Sequence, residues 1–160
     1  MIGYGSGFVV RLAKEEDIPK ILEITQTAFK AYIELAGISD VKALNETAQD
    51  VLQDIKGKMV LVAYLNDEPV GSVRIELREN NRAYLSRFGV DPAYQNDGVG
   101  KAMMSIVDLL MEQNGVKQIE LHTASQITSL VRFYYGRGYY IESTDKDDGY
   151  IRARFLKDYK

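Results

Sequence analysis

The amino-acid sequence predicts a mixed α+β domain with a central, mostly antiparallel sheet flanked by helices. Short alternating apolar segments lie next to turn residues, as hairpin strands do, and longer segments repeat their apolar residues at helical spacing. The predicted order of elements is β-α-α-β-β-β-α-β-α-β-β. Hairpins make the sheet antiparallel, and helices that cross between strands favour parallel pairs. A composition of 46% hydrophobic and 27% charged residues indicates one globular domain over residues 1–160.

The N-terminal third is predicted to hold one strand and two helices. The strand covers residues 8–13 and follows a flexible lead at residues 1–7. A helix comes next, and three acidic residues at its start favour the positive end of a helix dipole. Ser39 or Asp40 can cap a second helix, which ends near Gly57.

The rest of the chain alternates between hairpins and two further helices. Turn-forming side chains such as those of Asn66-Asp67 separate the strand segments. Alternating apolar residues predict strands at residues 58–65, 69–78, 83–90, 117–123, 139–142 and 150–156. Helical spacing predicts a helix after Gly100 that stops at Asn114-Gly115, and a short helix at residues 128–135.

Composition argues against several function classes. The net charge is −3 and there is no long run of Lys or Arg, so nothing favours a nucleic-acid or membrane-surface partner. No apolar stretch approaches the length of a membrane span, and the N-terminus lacks the features of a signal peptide, so we expect a cytoplasmic protein. With no cysteine and the single histidine His122, the sequence offers no thiolate or multi-histidine metal site.

A glycine-containing loop is the first candidate site. Gln95-Asn96-Asp97-Gly98-Val99-Gly100 lies between the strand at residues 83–90 and the next helix. The first amides of a helix lack intrahelical partners and carry partial positive charge, so they can hold a phosphate where no bulky side chain blocks it. Gly98 and Gly100 are expected to supply that clearance, and Lys101 adds a cation.

Three cofactor classes use such a loop, and two of them fit poorly. A Walker loop needs a glycine where Gln95 stands and a Ser or Thr where Ala102 stands. A dinucleotide loop needs a third glycine where Met103 stands. Nucleotide hydrolysis and nicotinamide-dependent oxidation are therefore weak interpretations.

The third pattern, Q-x-x-G-x-G at a strand-to-helix junction, matches residues 95–100 without a gap. A second segment, Phe133-Tyr134-Tyr135-Gly136-Arg137-Gly138-Tyr139, matches F-Y-x-x-x-G-[FY] downstream. In these two motifs, and in its order of elements from residue 8 to about residue 156, the chain resembles the GNAT superfamily of N-acetyltransferases. The resemblance implies transfer of an acetyl group from acetyl-coenzyme A to a primary amine by direct attack in a ternary complex. Small amine, peptide N-terminus and lysine side chain remain open as acceptors.

The same resemblance assigns residues to the coenzyme. The loop amides would hold its pyrophosphate, and the main chain of the preceding strand would contact its pantetheine arm. A backbone N–H near Val90 is the candidate for stabilising the oxyanion, because strand residues that lose their ladder partner where a sheet splays have a donor to spare. Fully paired strand backbone at residues 88–90 is the other interpretation. The implied cofactor-binding residues are Phe88, Val90, Gln95, Asn96, Asp97, Gly98, Val99, Gly100 and Lys101. No metal is implied. The chain departs from the family at Ile127, where an asparagine often contacts the coenzyme.

Four side chains are candidates for proton transfer. Tyr134 matches the family tyrosine that serves as general acid toward the departing thiolate, although its helical face also suits a core residue. His122 lies twelve residues earlier, where some branches of the family carry a catalytic glutamate, and an imidazole titrates near neutral pH. A packed histidine is the other interpretation there. Glu76 is a competing carboxylate base, and Glu34 is a further candidate.

The acceptor amine is the least defined partner. The resemblance implies walls at residues 32–38 and 143–149, whose acidic and aromatic side chains would attract a cationic amine. An acyl-coenzyme A-binding regulatory module with a degenerate catalytic site is the alternative function. Tyrosines near the last strands leave a homodimer open.

Overall fold

The computed structural model describes residues 2–5 and 7–160, with side chains described from residue 7 onward. The strands are β1 (Ile2–Gly5), β2 (Phe8–Leu12), β3 (Met59–Leu65), β4 (Glu68–Arg78), β5 (Arg82–Val90), β6 (Gln118–Ala124), β7 (Tyr140–Asp145) and β8 (Arg152–Asp158). The helices are α1 (Ile18–Ala36), α2 (Ala48–Gly57), α3 (Val99–Gln113) and α4 (Thr128–Gly136). Short 3-10 segments precede the first three helices, at Glu15–Asp17, Lys42–Asn45 and Pro92–Asp97.

The strands form one sheet in the order β1-β2-β3-β4-β5-β6-β8-β7. Every neighbouring pair is antiparallel except β5 and β6, which are parallel because α3 crosses between them. The predicted α+β class and the mostly antiparallel sheet are confirmed. Over residues 2–5 and 7–160, no helix has the length and apolar character that crossing a membrane requires.

The helices cover both faces of the sheet, because successive strand residues point to opposite faces. On one face, Leu61 of β3 belongs to the main core together with Met103 of α3. On the other face, the next residue back, Val60, packs with Ile21 of α1 and Val51 of α2. The larger core therefore lies under α3, and a smaller one lies under α1 and α2.

The first strand lies where a flexible lead was expected. Within residues 1–7, the structure places β1 antiparallel to β2, with Gly3 opposite Val10 and Gly5 opposite Phe8. Two of its four residues are glycines, which have no side chain to reveal a strand alternation. Met1 and Ser6 lie outside the described residues.

The predicted start of the second helix at Ser39 or Asp40 is wrong. α2 begins after the N-cap residue Thr47. The Thr47 hydroxyl oxygen accepts a hydrogen bond from the Asp50 N–H, and the Asp50 carboxylate accepts one from the Thr47 N–H. This reciprocal capping box satisfies two backbone donors and fixes the start of the helix. The residues before it form the 3-10 segment Lys42–Asn45 and extended backbone, which border the candidate site.

β5 separates from β6 soon after the two strands meet. Their parallel register covers only Arg82 to Tyr84 on β5, opposite residues 118–120 of β6. Beyond Tyr84, β5 runs on to Val90 and pairs with β4 alone. The two strands therefore diverge, and the cleft between them exposes backbone groups of β5.

A β-bulge lies in the part of β5 that borders this cleft. Two β5 residues, Arg87 and Phe88, lie opposite the single β4 residue Val73, between the pairs Ser72–Gly89 and Arg74–Ser86. Arg87 has a φ of +53°. A bulge bends its strand and increases the local twist, so it turns β5 away from β6.

Candidate active site

A cavity of about 490 Å³ occupies the cleft between β5 and β6. Residues of the connection between α1 and α2 border it on one side, and the segment leading into β8 borders it on another. Its lining residues are Phe29, Tyr32, Asp40, Val41, Lys42, Ala43, Asn45, Tyr84, Leu85, Ser86, Arg87, Phe88, Leu121, His122, Thr123, Leu130, Tyr134, Asp148, Tyr150 and Arg152. The structure therefore brings together Tyr134, His122 and Phe88, three of the residues singled out in the sequence.

Tyr134 reaches the cavity from an aromatic cluster. Its ring centre lies 5.3 Å from that of Phe155, 5.4 Å from that of Tyr139 and 6.3 Å from that of Phe88. The residue is 3% exposed, and no acceptor or donor among the described residues hydrogen-bonds to its hydroxyl. Burial, with a smaller contribution from Tyr139, raises the pKa of Tyr134 far above its usual value. The phenol is therefore protonated at neutral pH, and its donor is free to meet a ligand.

His122 forms a pair with Tyr84, a residue that no sequence motif indicates. The His122 Nδ1 lies 2.7 Å from the Tyr84 hydroxyl oxygen. Burial lowers the pKa of His122, and the nearby charge of Arg152 lowers it further, so the imidazole is neutral at pH 7. The pairing arises because Tyr84 lies opposite Glu120 in the parallel register, and His122 lies two residues further along the same face of β6. Only the strand register reveals it.

The two carboxylate candidates lie outside the cavity. Glu76 is on β4, and its carboxylate accepts a 2.6 Å hydrogen bond from Arg78 Nε. Because β4 is one strand further from the cleft than β5, Glu76 does not reach the cavity lining. Glu34 is exposed near the end of α1 and is also absent from the lining. The geometry thus favours Tyr134 and His122 over either glutamate.

The predicted anion-binding loop consists of the 3-10 segment Pro92–Asp97 and the start of α3. Gly98 is the N-cap, and the first hydrogen bond within the helix runs from the Ala102 N–H to the Gly98 carbonyl oxygen at 3.0 Å. The N–H groups of the three residues between them, Val99, Gly100 and Lys101, therefore have no acceptor within the helix. This arrangement can bind a phosphate group.

The two loop glycines were expected to leave room for a phosphate, but the structure gives each of them a different role. Gly98 has a φ of +85°, and an added Cβ would find no atom within 4 Å, so backbone conformation and not space favours glycine at this position. At Gly100, an added Cβ would lie 3.3 Å from Phe88 Cζ and 3.4 Å from Phe133 Cζ. Glycine at that position lets the start of α3 approach the stacked pair of phenylalanine rings.

Val90 presents a backbone donor to the cleft. The next residue, Asp91, donates its N–H to the Val70 carbonyl oxygen at 2.9 Å. Because successive residues of an antiparallel pair point their N–H groups to opposite edges, the Val90 N–H points away from β4. That edge is the one that β6 has left. The ring of Phe88 lines the cavity nearby.

Ile127, at the position of the family asparagine, is a packing residue in this chain. It is 3% exposed and belongs to a small core with Ala36 of α1 and Ala124 of β6. It is also the N-cap residue of α4, without a side-chain cap. An isoleucine has no polar atom with which to contact a coenzyme, so this position does not supply the contact that the family asparagine makes.

A buried ion cluster fastens β4 to the connection before α2. The side chain of Arg74 is 0% exposed and donates to both carboxylate oxygens of Glu46, at 2.5 and 2.6 Å, and to Asp54 at 2.9 Å. Burial alone would lower the pKa of Arg74, but the two carboxylates raise it overall. The sequence held a signal for this cluster, because an arginine between apolar residues of a central strand needs buried partners.

The charged side chains of the cavity lining are more often positive than negative. They are Asp40, Lys42, Arg87, Asp148 and Arg152. The Asp148 carboxylate pairs with Arg152 Nη1 at 2.9 Å. The Asp40 carboxylate accepts a 2.9 Å hydrogen bond from Asn45 Nδ2. Both carboxylates therefore already have partners within the protein.

The expected acceptor walls contribute little to this cavity. Residues 32–38 supply only Tyr32 to the lining, and residues 143–149 supply only Asp148. The lining on the helical side comes mainly from residues 40–45, which the sequence pattern predicts to be helical. Of the acidic residues in the two expected walls, only Asp148 therefore lines the cavity, and it is paired with Arg152.

Comparison with known proteins agrees with this geometry. The family model described as the acetyltransferase (GNAT) family matches residues 10–139. The chain is 23% identical over 158 residues to spermidine N(1)-acetyltransferase of Thermoplasma acidophilum, covering 91% of this chain and 96% of that protein. It is 27% identical over 154 residues to mycothiol acetyltransferase of Propionibacterium freudenreichii subsp. shermanii, covering 88% of this chain and 45% of that protein.

Among solved structures, the PaiA N-acetyltransferase from Thermoplasma acidophilum in complex with coenzyme A superimposes with a TM-score of 0.83. The identity is 21%, and the match covers 95% of this chain and 99% of that one. The family match spans most of the chain and includes both motifs, so the resemblance inferred from the sequence is confirmed. The chain belongs to the GNAT family of acetyltransferases.

Proposed function

We propose that the chain transfers the acetyl group of acetyl-coenzyme A to a primary amine by direct attack in a ternary complex. Family membership makes it an acetyl-coenzyme A-dependent acetyltransferase. The observation that supports direct transfer to a primary amine is a single cavity lined by both Tyr134 and His122. Direct transfer also agrees with the composition, since the chain has no cysteine to carry an acyl group.

Residues of this chain are suited to hold the coenzyme. The free N–H groups of Val99, Gly100 and Lys101 would bind its pyrophosphate at the positive end of α3. The Val90 N–H, which points into the cleft, would donate to the thioester carbonyl oxygen and stabilise the charge that develops there. When bound, acetyl-coenzyme A supplies the acyl group and a thiolate leaving group.

Tyr134 is proposed as the donor to the departing thiolate. Burial raises the pKa of its hydroxyl, so the hydroxyl carries its proton whenever substrate binds. The same burial disfavours a bare phenolate, which makes hydrogen-bond donation the main contribution and complete proton transfer the costlier one. Its hydroxyl has no hydrogen-bond partner among the described residues, so it is available to a ligand in the cavity.

The base is proposed to be the Tyr84–His122 pair. The Tyr84 hydroxyl oxygen lies 2.7 Å from His122 Nδ1, and we propose the tautomer in which the Tyr84 O–H donates to Nδ1. The neutral imidazole then carries its own proton on Nε2. A proton released by the amine would pass to the Tyr84 oxygen while the Tyr84 proton moves to His122 Nδ1.

The test combines an amine screen with a matched pair of tyrosine variants. Wild-type protein with acetyl-coenzyme A and a panel of amines and peptides should release free thiol. Tyr134→Phe should lower kcat by about 100-fold or more, with little change in the Kd of coenzyme A. Tyr135→Phe is the control, because Tyr135 is the adjacent residue and 52% exposed, and it should leave both values unchanged.

Two results would contradict the proposal. Equal losses of kcat in Tyr134→Phe and Tyr135→Phe would contradict a catalytic role of Tyr134. Tight coenzyme binding without turnover on any amine or peptide would favour the alternative of an acyl-coenzyme A-binding regulatory module.

A further inference from the structure

Arg87 adopts a backbone conformation that an arginine rarely takes. Its φ of +53° lies in the left-handed region, where residues other than glycine and asparagine are uncommon. Conformations of this kind persist where the surrounding structure imposes them, and they concentrate at functional sites. In this chain the β5 bulge imposes it and makes Arg87 part of the cavity lining, together with Tyr134 and His122.

The guanidinium of Arg87 has donors without acceptors. Its Nε donates to Glu46 Oε2 over 3.4 Å, whereas Arg74 contacts the same carboxylate at 2.5 and 2.6 Å. Across residues 7–160, neither terminal nitrogen of Arg87 has a hydrogen-bond acceptor, and the side chain is 30% exposed. A planar guanidinium with both terminal nitrogens free is suited to bind a carboxylate through two hydrogen bonds.

The other charges of the cavity favour the same kind of ligand. Lys42 lines the cavity and makes no ion pair with any residue of the described chain. Asp148 is paired with Arg152, and Asp40 is an exposed residue bonded to an amide side chain. A polyamine would therefore meet the positive charges of Lys42 and Arg87, whereas an amine with a carboxylate would present a complementary charge to them.

We propose that the acceptor is a primary amine that also carries a carboxylate, and that Arg87 is the residue that binds this carboxylate. The proposal rests on the proposed N-acetyltransferase function and narrows its acceptor to amino acids and related acids. Arg87 then determines specificity without taking part in proton transfer. The same arginine would disfavour polyamines and amines whose carboxylate is masked.

The experiment compares acids with their uncharged counterparts. Acetyl transfer is measured by thiol release for α-, β- and γ-amino acids, for the carboxamide of each, and for a polyamine. The variant is Arg87→Asn, since asparagine tolerates a positive φ and removes the charge. The control is Arg82→Asn, which makes the same change at an exposed residue of β5 outside the cavity.

We expect the wild type to favour at least one acid over its carboxamide by tenfold or more in kcat/KM. Arg87→Asn should remove that preference, mainly through KM, and Arg82→Asn should keep it. Equal use of acids and carboxamides, preference for the polyamine, or acid preference that survives in Arg87→Asn would each overturn the proposal.

A binding measurement separates this proposal from the proposed function. Calorimetry of the coenzyme A-saturated protein compares N-acetyl amino acids with N-acetyl amino-acid amides. Acid-selective binding that is lost in Arg87→Asn, without turnover of any amine, would support the carboxylate site and contradict the transferase. Turnover without any acid preference would support the transferase and contradict the carboxylate site. Absence of both turnover and acid-selective binding would overturn both.

Discussion

Gly98 is the residue at which one substitution tests the coenzyme loop most directly. It joins the 3-10 segment Pro92–Asp97 to α3 with φ +85° and ψ 12°. No atom lies within 4 Å of the position that a Cβ would take, so Gly98→Val changes backbone energy and not packing. An L-residue in the left-handed region costs about 1–2 kcal/mol, and a β-branched side chain lies at the upper end of that range.

The structure indicates where this cost appears. Gln95, Asn96 and Asp97 are exposed, so little packing opposes a change of loop conformation. We expect the loop to relax to a negative φ and to turn the Val99 and Gly100 amides away from a phosphate. If that relaxation takes the whole cost, 1–2 kcal/mol corresponds to about 5- to 30-fold weaker binding of coenzyme A.

Calorimetric titration with coenzyme A measures this loss, and urea unfolding measures the free energy of unfolding of the same variants. Gly98→Asn should keep most of the affinity, because asparagine tolerates the left-handed region. Gly57→Val is the matched control, since Gly57 has equal open space and no positive φ. Wild-type affinity and stability in Gly98→Val would refute the reasoning, as would an equal loss of affinity in Gly98→Asn.

Three further predictions concern the Tyr84–His122 pair and the ion pairs Arg11–Asp17 and Arg74–Glu46. Tyr84→Phe and His122→Gln should lower kcat/KM at pH 7 by similar factors of about 100, and the double variant should be no worse. In pH–rate profiles of the wild type, activity should fall below pH 6.5 as His122 becomes protonated, and His122→Gln should remove this acidic limb. If the losses in the two single variants add up in the double variant, Tyr84 and His122 do not act as one base. Arg11 Nη1 lies 2.7 Å from Asp17 Oδ2, and this partner holds the pKa of Asp17 well below 3.8. The stabilising effect of the ion pair is therefore present above pH 3.8 and lost as the pH falls below it toward the lowered pKa. Asp17→Asn should therefore lower the free energy of unfolding at pH 7 and flatten its fall below pH 3.8, as urea titrations at each pH would show. Glu46→Gln should cost about 3–5 kcal/mol in urea unfolding, because the fully buried charge of Arg74 loses its main partner, and a loss below 1 kcal/mol would contradict the importance of this pair.

The sequence predicted the fold wherever its signals were local. Strand alternation and turn residues such as Asn66-Asp67, which adopt positive φ values of 50° and 67°, defined the hairpins. The second helix was placed too early because Ser39 and Asp40 are residue types that cap helices. The capping box of Thr47 lay in the same stretch and identifies the true start once both ends of the box are required.

The candidate site was predictable only where one segment carries the whole signal. The family, the acetyltransferase class and the loop before α3 follow from contiguous motifs, and the family and class are confirmed. The pairing of Tyr84 with His122 joins residues 38 positions apart and depends on the register of two strands. The conformation of Arg87 had no signal at all, because arginine is not a residue type associated with left-handed backbone.

One irregularity of β5 links the two halves of the proposed reaction. The bulge at Arg87 and Phe88 turns the strand away from β6, and the resulting gap leaves the Val90 N–H without a β6 partner, where it would face the thioester of bound acetyl-coenzyme A. The same bulge brings Arg87 into the cavity wall, where its guanidinium would bind the acceptor carboxylate. Because both groups belong to one bent segment, its shape would fix the spacing between the carbonyl oxygen of the donor and the charged end of the proposed acceptor. An insertion or deletion in the bulge should therefore impair coenzyme binding and acid preference together, whereas Arg87→Asn should impair only the second.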